Sequence, residues 1–133
     1  MSNASSCLRV LVAEDNEDLR AAICALLSAE PDMVVAGEAS TAPEIAAMAC
    51  ARDADIVVLD LNLRGESSVA AMRALQQQRP NVAAVIYSGY DSAAVMSGLE
   101  GLQPCLYVSK SGDGMDLLSA IRRLGKSAAG ARV

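Results

Sequence analysis

A chain of 133 residues carrying a net charge of −5 has the length of one domain and can bury roughly two-thirds of its unfolded surface. Its eleven basic residues are dispersed, and Phe and Trp are absent, so the chain has neither a basic stripe nor an aromatic platform for direct nucleic-acid binding. The absence of His removes His-based triads and the commonest general base.

Cys7, Cys24, Cys50 and Cys105 are scattered with no C-x-x-C pair, which speaks against a zinc site or disulfide framework and suits a reducing compartment. The start lacks a basic segment and an apolar core of signal-peptide type, and no apolar run reaches transmembrane length. A soluble cytoplasmic protein without membrane contact is the expectation.

Residues 1–7 carry no apolar pattern and are expected to be disordered. Leu8 to Ala13 reads as a strand ending at the acids Glu14 and Asp15. From Asp18 to Ala29, Leu19, Ile23 and Leu26/Leu27 recur at helical spacing, and Pro31 stops the helix. Met33 to Gly37 is a second strand. Thr41-Ala42-Pro43-Glu44 forms a capping box with Pro in the first turn, opening a helix to about Ala51.

Ile56-Val57-Val58-Leu59 is the β-branched run of a buried third strand, and it ends at Asp60. A loop then leads into a helix from about Ser67 or Ser68 to Gln78, closed by Pro80. Val82 to Tyr87 is the fourth strand, ending at Ser88-Gly89, and a weaker helix spans about Ser92 to Leu99. Leu106-Tyr107-Val108 is the fifth strand, ending at Ser109-Lys110. A last helix occupies Met115 to Leu124, and 125–133 reads as a flexible tail or the start of a linker.

Five strands alternating with five helices predict an α/β fold with one parallel sheet covered on both faces. Right-handed crossovers reduce the topologies to a doubly wound sheet, most simply in the order 2-1-3-4-5. The domain is expected over 8–124.

In such a sheet, ligands bind at the carboxyl ends of the strands. Four of the five strands end there in a chemically useful group: Glu14-Asp15, Asp60, Ser88 and Lys110. Each alone reads most simply as a cap, a turn residue or a solvated charge. Together, on one sheet edge, crowded carboxylates repel unless a cation sits among them. Oxygen ligands without His or Cys select a hard ion, and Mg²⁺ fits best. A hydroxyl and an ammonium opposite are what phosphoryl oxygens would need.

These residues, in this order and at these separations, resemble the receiver domain of two-component response regulators, whose fold is flavodoxin-like. The likeness covers roughly Leu8 to Leu124 and is strongest to receivers that precede a helix-turn-helix output domain. It implies that Asp60 accepts a phosphoryl group from a sensor histidine kinase, with slow self-dephosphorylation. It implies that Asp15, Asp60 and the backbone carbonyl of Asn62 ligate Mg²⁺, with Glu14 acting through water. Lys110 and Ser88 would meet the phosphate, Ser88 and Tyr107 would form the switch, and Asn62 and Tyr90 would tune the phosphoryl lifetime. The implied output is transcriptional, through a domain outside this chain, with homodimerisation on phosphorylation.

Three departures stand out: Arg64 where Pro is common, Ser68 where Gly is common, and Leu102-Gln103-Pro104-Cys105 before the fifth strand. A stand-alone receiver is the alternative. An Asp-nucleophile phosphohydrolase of the haloacid dehalogenase kind fits less well, because the site after the first strand reads Glu14-Asp15-Asn16-Glu17. A receiver without chemistry is opposed by the full set of Glu14, Asp15, Asp60, Ser88 and Lys110.

Overall fold

In the structure, a computed structural model, residues 7–60, 62–63, 66–89, 102, 104–110 and 114–132 are described, with backbone alone for 62, 66 and 126–132. The order is β1 (Leu8–Ala13), α1 (Glu17–Ser28), β2 (Met33–Ala39), α2 (Ala42–Ala51), β3 (Ile56–Leu59), β4 (Asn62–Leu63), β5 (Glu66–Ser67), α3 (Ser68–Gln78), β6 (Ala83–Ser88), β7 (Cys105–Ser109) and α4 (Met115–Arg132). The expected helix over 92–99 lies outside the described residues.

Five strands form one parallel sheet in the order β2-β1-β3-β6-β7, the doubly wound order expected. Its central strand β3 is buried throughout, as the run Ile56 to Leu59 demands of a strand covered on both faces. Alternation divides the core. Val10, Val12, Val58 and Val85 face Ile23, Leu27, Leu117 and Ile121 of α1 and α4. Leu11, Val57, Leu59 and Ile86 face Ile45, Met72 and Leu75 of α2 and α3. Edge strand β2 pairs with β1 through a shift, Val10 opposite Val35 but Leu11 opposite Gly37, so one residue bulges on the edge.

Caps fix where the helices begin. The Asn16 side chain accepts the Leu19 N–H at 3.0 Å, and Glu17 and Asp18 occupy the first turn of α1, where acids favour the helix dipole. At α2 the Glu44 carboxylate accepts from the N–H of Thr41 at 3.1 Å and its hydroxyl at 2.9 Å, and it also gathers both donors of Ser40. These bonds hold the Glu44 carboxyl below the usual carboxylate range.

Two segments differ from expectation. After Asp60 the chain does not run as a plain loop: β4 and β5 pair antiparallel, Asn62 with Ser67 and Leu63 with Glu66, and Leu63 is fully buried. The final helix continues to Arg132, past Leu124. Gly125 lies within the helix and serves close packing, since a Cβ there would lie 2.5 Å from Leu8 Cδ1. The following Lys-Ser-Ala-Ala contains no breaker.

Candidate functional site: an acidic cluster at the carboxyl edge of the sheet

Parallel pairing sets β1 and β3 level, Ala13 beside Leu59, so the residues that follow emerge side by side. The main chain carries the pairing one residue further on both sides of β1, with Glu14 N–H on Ala39 O of β2 at 2.9 Å and Asp60 N–H on Ala13 O at 3.2 Å. Carboxylate oxygens of Glu14, Asp15 and Asp60 then fall within 4.8 Å of one another. Around a six-coordinate ion with bonds of about 2.1 Å, ligand oxygens stand ~3 to ~4.2 Å apart. Small side-chain adjustments therefore suffice for one hard cation.

From β7, Lys110 brings the opposite charge. Its Nζ lies 2.9 Å from Asp60 Oδ2 and 3.2 Å from Glu14 Oε1, and 6.0 Å from the centre of the Tyr87 ring. Burial alone would lower the Lys110 pKa. The hydrogen bond and charge of Asp60, with Glu14 behind it, outweigh burial and hold it above the usual value.

The Glu14 pKa is raised as well, which for a carboxylate favours the neutral form. Burial raises its pKa, and the Asp60 charge adds to this, against the Asn16 N–H at 3.1 Å and Lys110. Three carboxylates facing one ammonium leave excess negative charge in a partly desolvated place, which is the electrostatic demand for a cation.

Ser88 closes β6 and is fully buried. Its carbonyl accepts the Lys110 N–H at 3.0 Å, and the Tyr107 hydroxyl lies at 3.5 Å from the same oxygen. Tyr107 is half-buried and packs against the cluster that faces α2 and α3. Glu14, Asp15, Asp60, Ser88 and Lys110 thus lie at one edge of the sheet, and Tyr107 reaches it from the middle of β7. Asn62 opens β4, but its side chain is not described, and Tyr90 lies outside the described residues.

Two contacts were not foreseen. Arg20 donates from Nη1 to the carbonyl of Glu14 at 2.9 Å and from Nε to Glu38 at 3.0 Å. The buried Ser68 hydroxyl donates to the carbonyl of Asp60. Both act on main-chain oxygens, a use no residue pattern announces. An open cavity of about 690 Å³ lies at the other end of the sheet, lined by Cys7, Arg9, Asp55, Arg79 and Asn81 among others. It is remote from the acidic cluster and shares none of its residues.

With this geometry in place, known proteins give the decisive match. The response regulator receiver domain family model covers residues 10–122. The chain belongs to that family. The DNA-binding transcriptional activator DevR/DosR of Mycobacterium tuberculosis is 30% identical over 123 residues, covering 89% of this chain and 54% of that protein. The nitrate/nitrite response regulator NarL of Escherichia coli K12 is 29% identical over 119 residues, 86% of this chain and 53% of NarL. A LuxR-family two-component response regulator from Aurantimonas superposes with a TM-score of 0.83 at 27% identity, over 92% of this chain and 87% of that one.

The chain therefore spans about half the length of the curated relatives it matches. It is a receiver module of two-component phosphorelay signalling, a family whose domains work with histidine kinases and use Mg²⁺ in an acidic pocket. Among the described residues, no helix is long and apolar enough to cross a membrane.

Proposed function

We propose that this receiver works in the cytoplasm, takes a phosphoryl group on Asp60 from the phosphohistidine of a sensor histidine kinase, and passes the signal to a transcriptional output domain. The observation that carries the reading is the approach of Lys110 Nζ to within 2.9 Å of Asp60 Oδ2, beside two further carboxylates. Asp60 joins a nucleophilic oxygen to a neighbouring cation, and the strand-end position leaves it 17% side-chain exposed to a donor.

The step is an in-line displacement. An oxygen of Asp60 forms a bond to phosphorus as the P–N bond of phosphohistidine breaks, the imidazole nitrogen leaves, and an acyl phosphate results. Asp15 and Asp60, with the carbonyl of Asn62 and Glu14 through a water, would hold Mg²⁺. When bound, that ion supplies positive charge against the phosphoryl oxygens. Lys110 neutralises a further oxygen, and the Ser88 hydroxyl donates to another. Drawing Ser88 toward the phosphate frees space that Tyr107 fills by turning inward, which alters the face around β7 and α4. Asn62 and Tyr90, each two positions past a site residue, flank the approach of the hydrolytic water and set the lifetime of the acyl phosphate.

Output is read through a domain outside this chain. DevR/DosR is a DNA-binding transcriptional activator, and an analogous regulator, dimerising on phosphorylation, is the fuller form of the proposal. DNA contact falls to that domain, because this chain carries a net charge of −5 and no basic stripe.

Incubation with Mg²⁺ and acetyl phosphate tests the chemistry. Intact mass should show one added phosphoryl group on the wild type and none on Asp60→Asn. Equal labelling of the mutant would sink the assignment.

A further inference from the structure

Ser68 is the first residue of α3 and is 0% exposed. A buried hydroxyl must find a partner or lose the hydrogen bond it had with water. Its partner is the backbone carbonyl of Asp60, eight residues earlier. Between the two residues lies the β4–β5 hairpin, so the hydroxyl closes the neck of that hairpin. Leu63, buried in the core cluster facing α2 and α3, anchors its far end.

Asp60 is consequently held at three atoms. Its N–H donates to Ala13 of β1 at 3.2 Å, its Oδ2 accepts from Lys110 at 2.9 Å, and its carbonyl accepts from Ser68. The first two bonds come from the sheet and the site. The third comes from α3 and depends on a single side-chain oxygen that Gly or Ala would lack.

We infer that Ser68 is a positioning residue for phosphoryl transfer. It fixes the peptide plane leaving Asp60, and with it the aim of the acceptor carboxylate and the seat of the hairpin that carries Asn62. Fully buried, it touches no donor. A nucleophile held in line gains rate through the geometry of the bound state, and loss of one orienting bond lowers the rate without weakening donor binding.

The inference rests on Asp60 being the acceptor, and the experiment separates the two ideas. Wild type, S68A and S68G are incubated with Mg²⁺ and a range of acetyl phosphate concentrations. In this reaction the donor's phosphorus–oxygen bond breaks, acetate leaves, and the phosphoryl group bonds to Asp60. At saturating donor, both variants should label about fivefold more slowly, the factor that one ordinary hydrogen bond makes, with an unchanged half-saturating concentration. Ala and Gly lie far apart in helix propensity, so an effect working through α3 stability would separate them, whereas loss of the hydroxyl treats them alike.

Hydrogen exchange supplies a readout independent of the chemistry. The peptide carrying β4 and β5 should exchange faster in both variants, with β1 and β6 unchanged. Labelling of S68A at the wild-type rate overturns the inference while leaving the acceptor reading intact, as does a rate loss in S68G alone. No label on wild type overturns the acceptor reading, and this inference with it.

Discussion

Lys110 and Asp60 are 50 residues apart in the chain and 2.9 Å apart in space, joined by an ammonium–carboxylate hydrogen bond. The bond spans β3 and β7, which are not neighbours; β6 lies between them. Lys110 reaches across the end of β6, its own N–H fastened to the Ser88 carbonyl at 3.0 Å, and its second carboxylate partner is Glu14 of the β1 end. One side chain thereby ties together the ends of three strands.

Lys110→Met keeps the apolar stem and removes the charge. Labelling by acetyl phosphate should fall about a hundredfold, the scale of losing one preorganised electrostatic contact. Mg²⁺ should bind more tightly, because the ammonium no longer competes for Asp60 and Glu14. Titration calorimetry and labelling time courses check the two effects separately, and a variant that labels at the wild-type rate would remove Lys110 from the mechanism.

Asp15 should account for much of the coupling between Mg²⁺ and folding. Glu14, Asp15 and Asp60 crowd within 4.8 Å, and a cation relieves their repulsion only in the folded chain. At a hundredfold excess over its dissociation constant, Mg²⁺ should stabilise the fold by about 2.7 kcal/mol. Asp15→Asn should blunt the rise in melting temperature between chelator and Mg²⁺, and identical melting of the wild type in both would contradict the metal site.

Much of this arrangement was legible in the sequence because buried parallel strands write themselves as β-branched runs, and Ile56 to Leu59 with Asp60 behind it is such a run. Topology then did the rest, since the switch point between β1 and β3 brings Asp60 beside Glu14. The β4–β5 hairpin was hidden because two-residue strands carry no periodicity. The helix was expected to end at Leu124, one residue before Gly125, and a glycine required for close approach to Leu8 looks the same in sequence as one that ends a helix. The contacts of Arg20 and of Ser68, the latter noticed only as a departure from Gly, were missed for a third reason: each bonds a backbone carbonyl, and carbonyls carry no residue identity.

Gln76 offers a stability test away from the acids. Its Nε2 donates to the carbonyls of Val82 at 2.9 Å and Pro104 at 3.1 Å, clipping α3 to the approaches of β6 and β7. Gln76→Leu keeps the bulk and removes the amide donor from the buried Val82 carbonyl, while the Pro104 carbonyl keeps the Ala84 N–H at 2.9 Å. The expected loss is about 1 to 3 kcal/mol, read as a lower urea midpoint with unchanged slope. A midpoint equal to wild type would show that water replaces the amide.

Acid should expose the clamp between α4 and the turn before β2. Arg122 Nε donates to Asp32 Oδ2 at 2.9 Å and Nη2 to Oδ1 at 3.1 Å, with Glu30 on the same nitrogen. The Arg122 hydrogen bond holds the Asp32 carboxyl below its ordinary 3.8. A lowered carboxylate contributes stability that is fully present above the unfolded value and lost as pH falls through the folded one. Arg122→Gln should therefore melt below wild type at neutral pH, and the gap should narrow below pH 3.8. A gap constant across that window would assign the effect to packing of the arginine stem.

Arg20 should control how well the acidic pair receives its cation. Its side chain is 18% exposed, and its guanidinium makes two directed bonds, to the Glu14 carbonyl at 2.9 Å and the Glu38 carboxylate at 3.0 Å. The planar fork thus spans from the end of β1 to edge strand β2, leaving both oxygens of the Glu14 carboxylate to Lys110 and the Asn16 N–H. A lysine ammonium is a point donor that cannot reproduce this fork. Arg20→Lys should weaken Mg²⁺ binding about fivefold, the factor set by one net hydrogen bond, and Arg20→Ala at least as much. Glu38→Gln, which keeps the Glu14 contact, should change the affinity less than either. Calorimetric titration of the three variants decides the matter: equal Mg²⁺ affinity in wild type and Arg20→Ala would mean that β1 alone holds Glu14 in place.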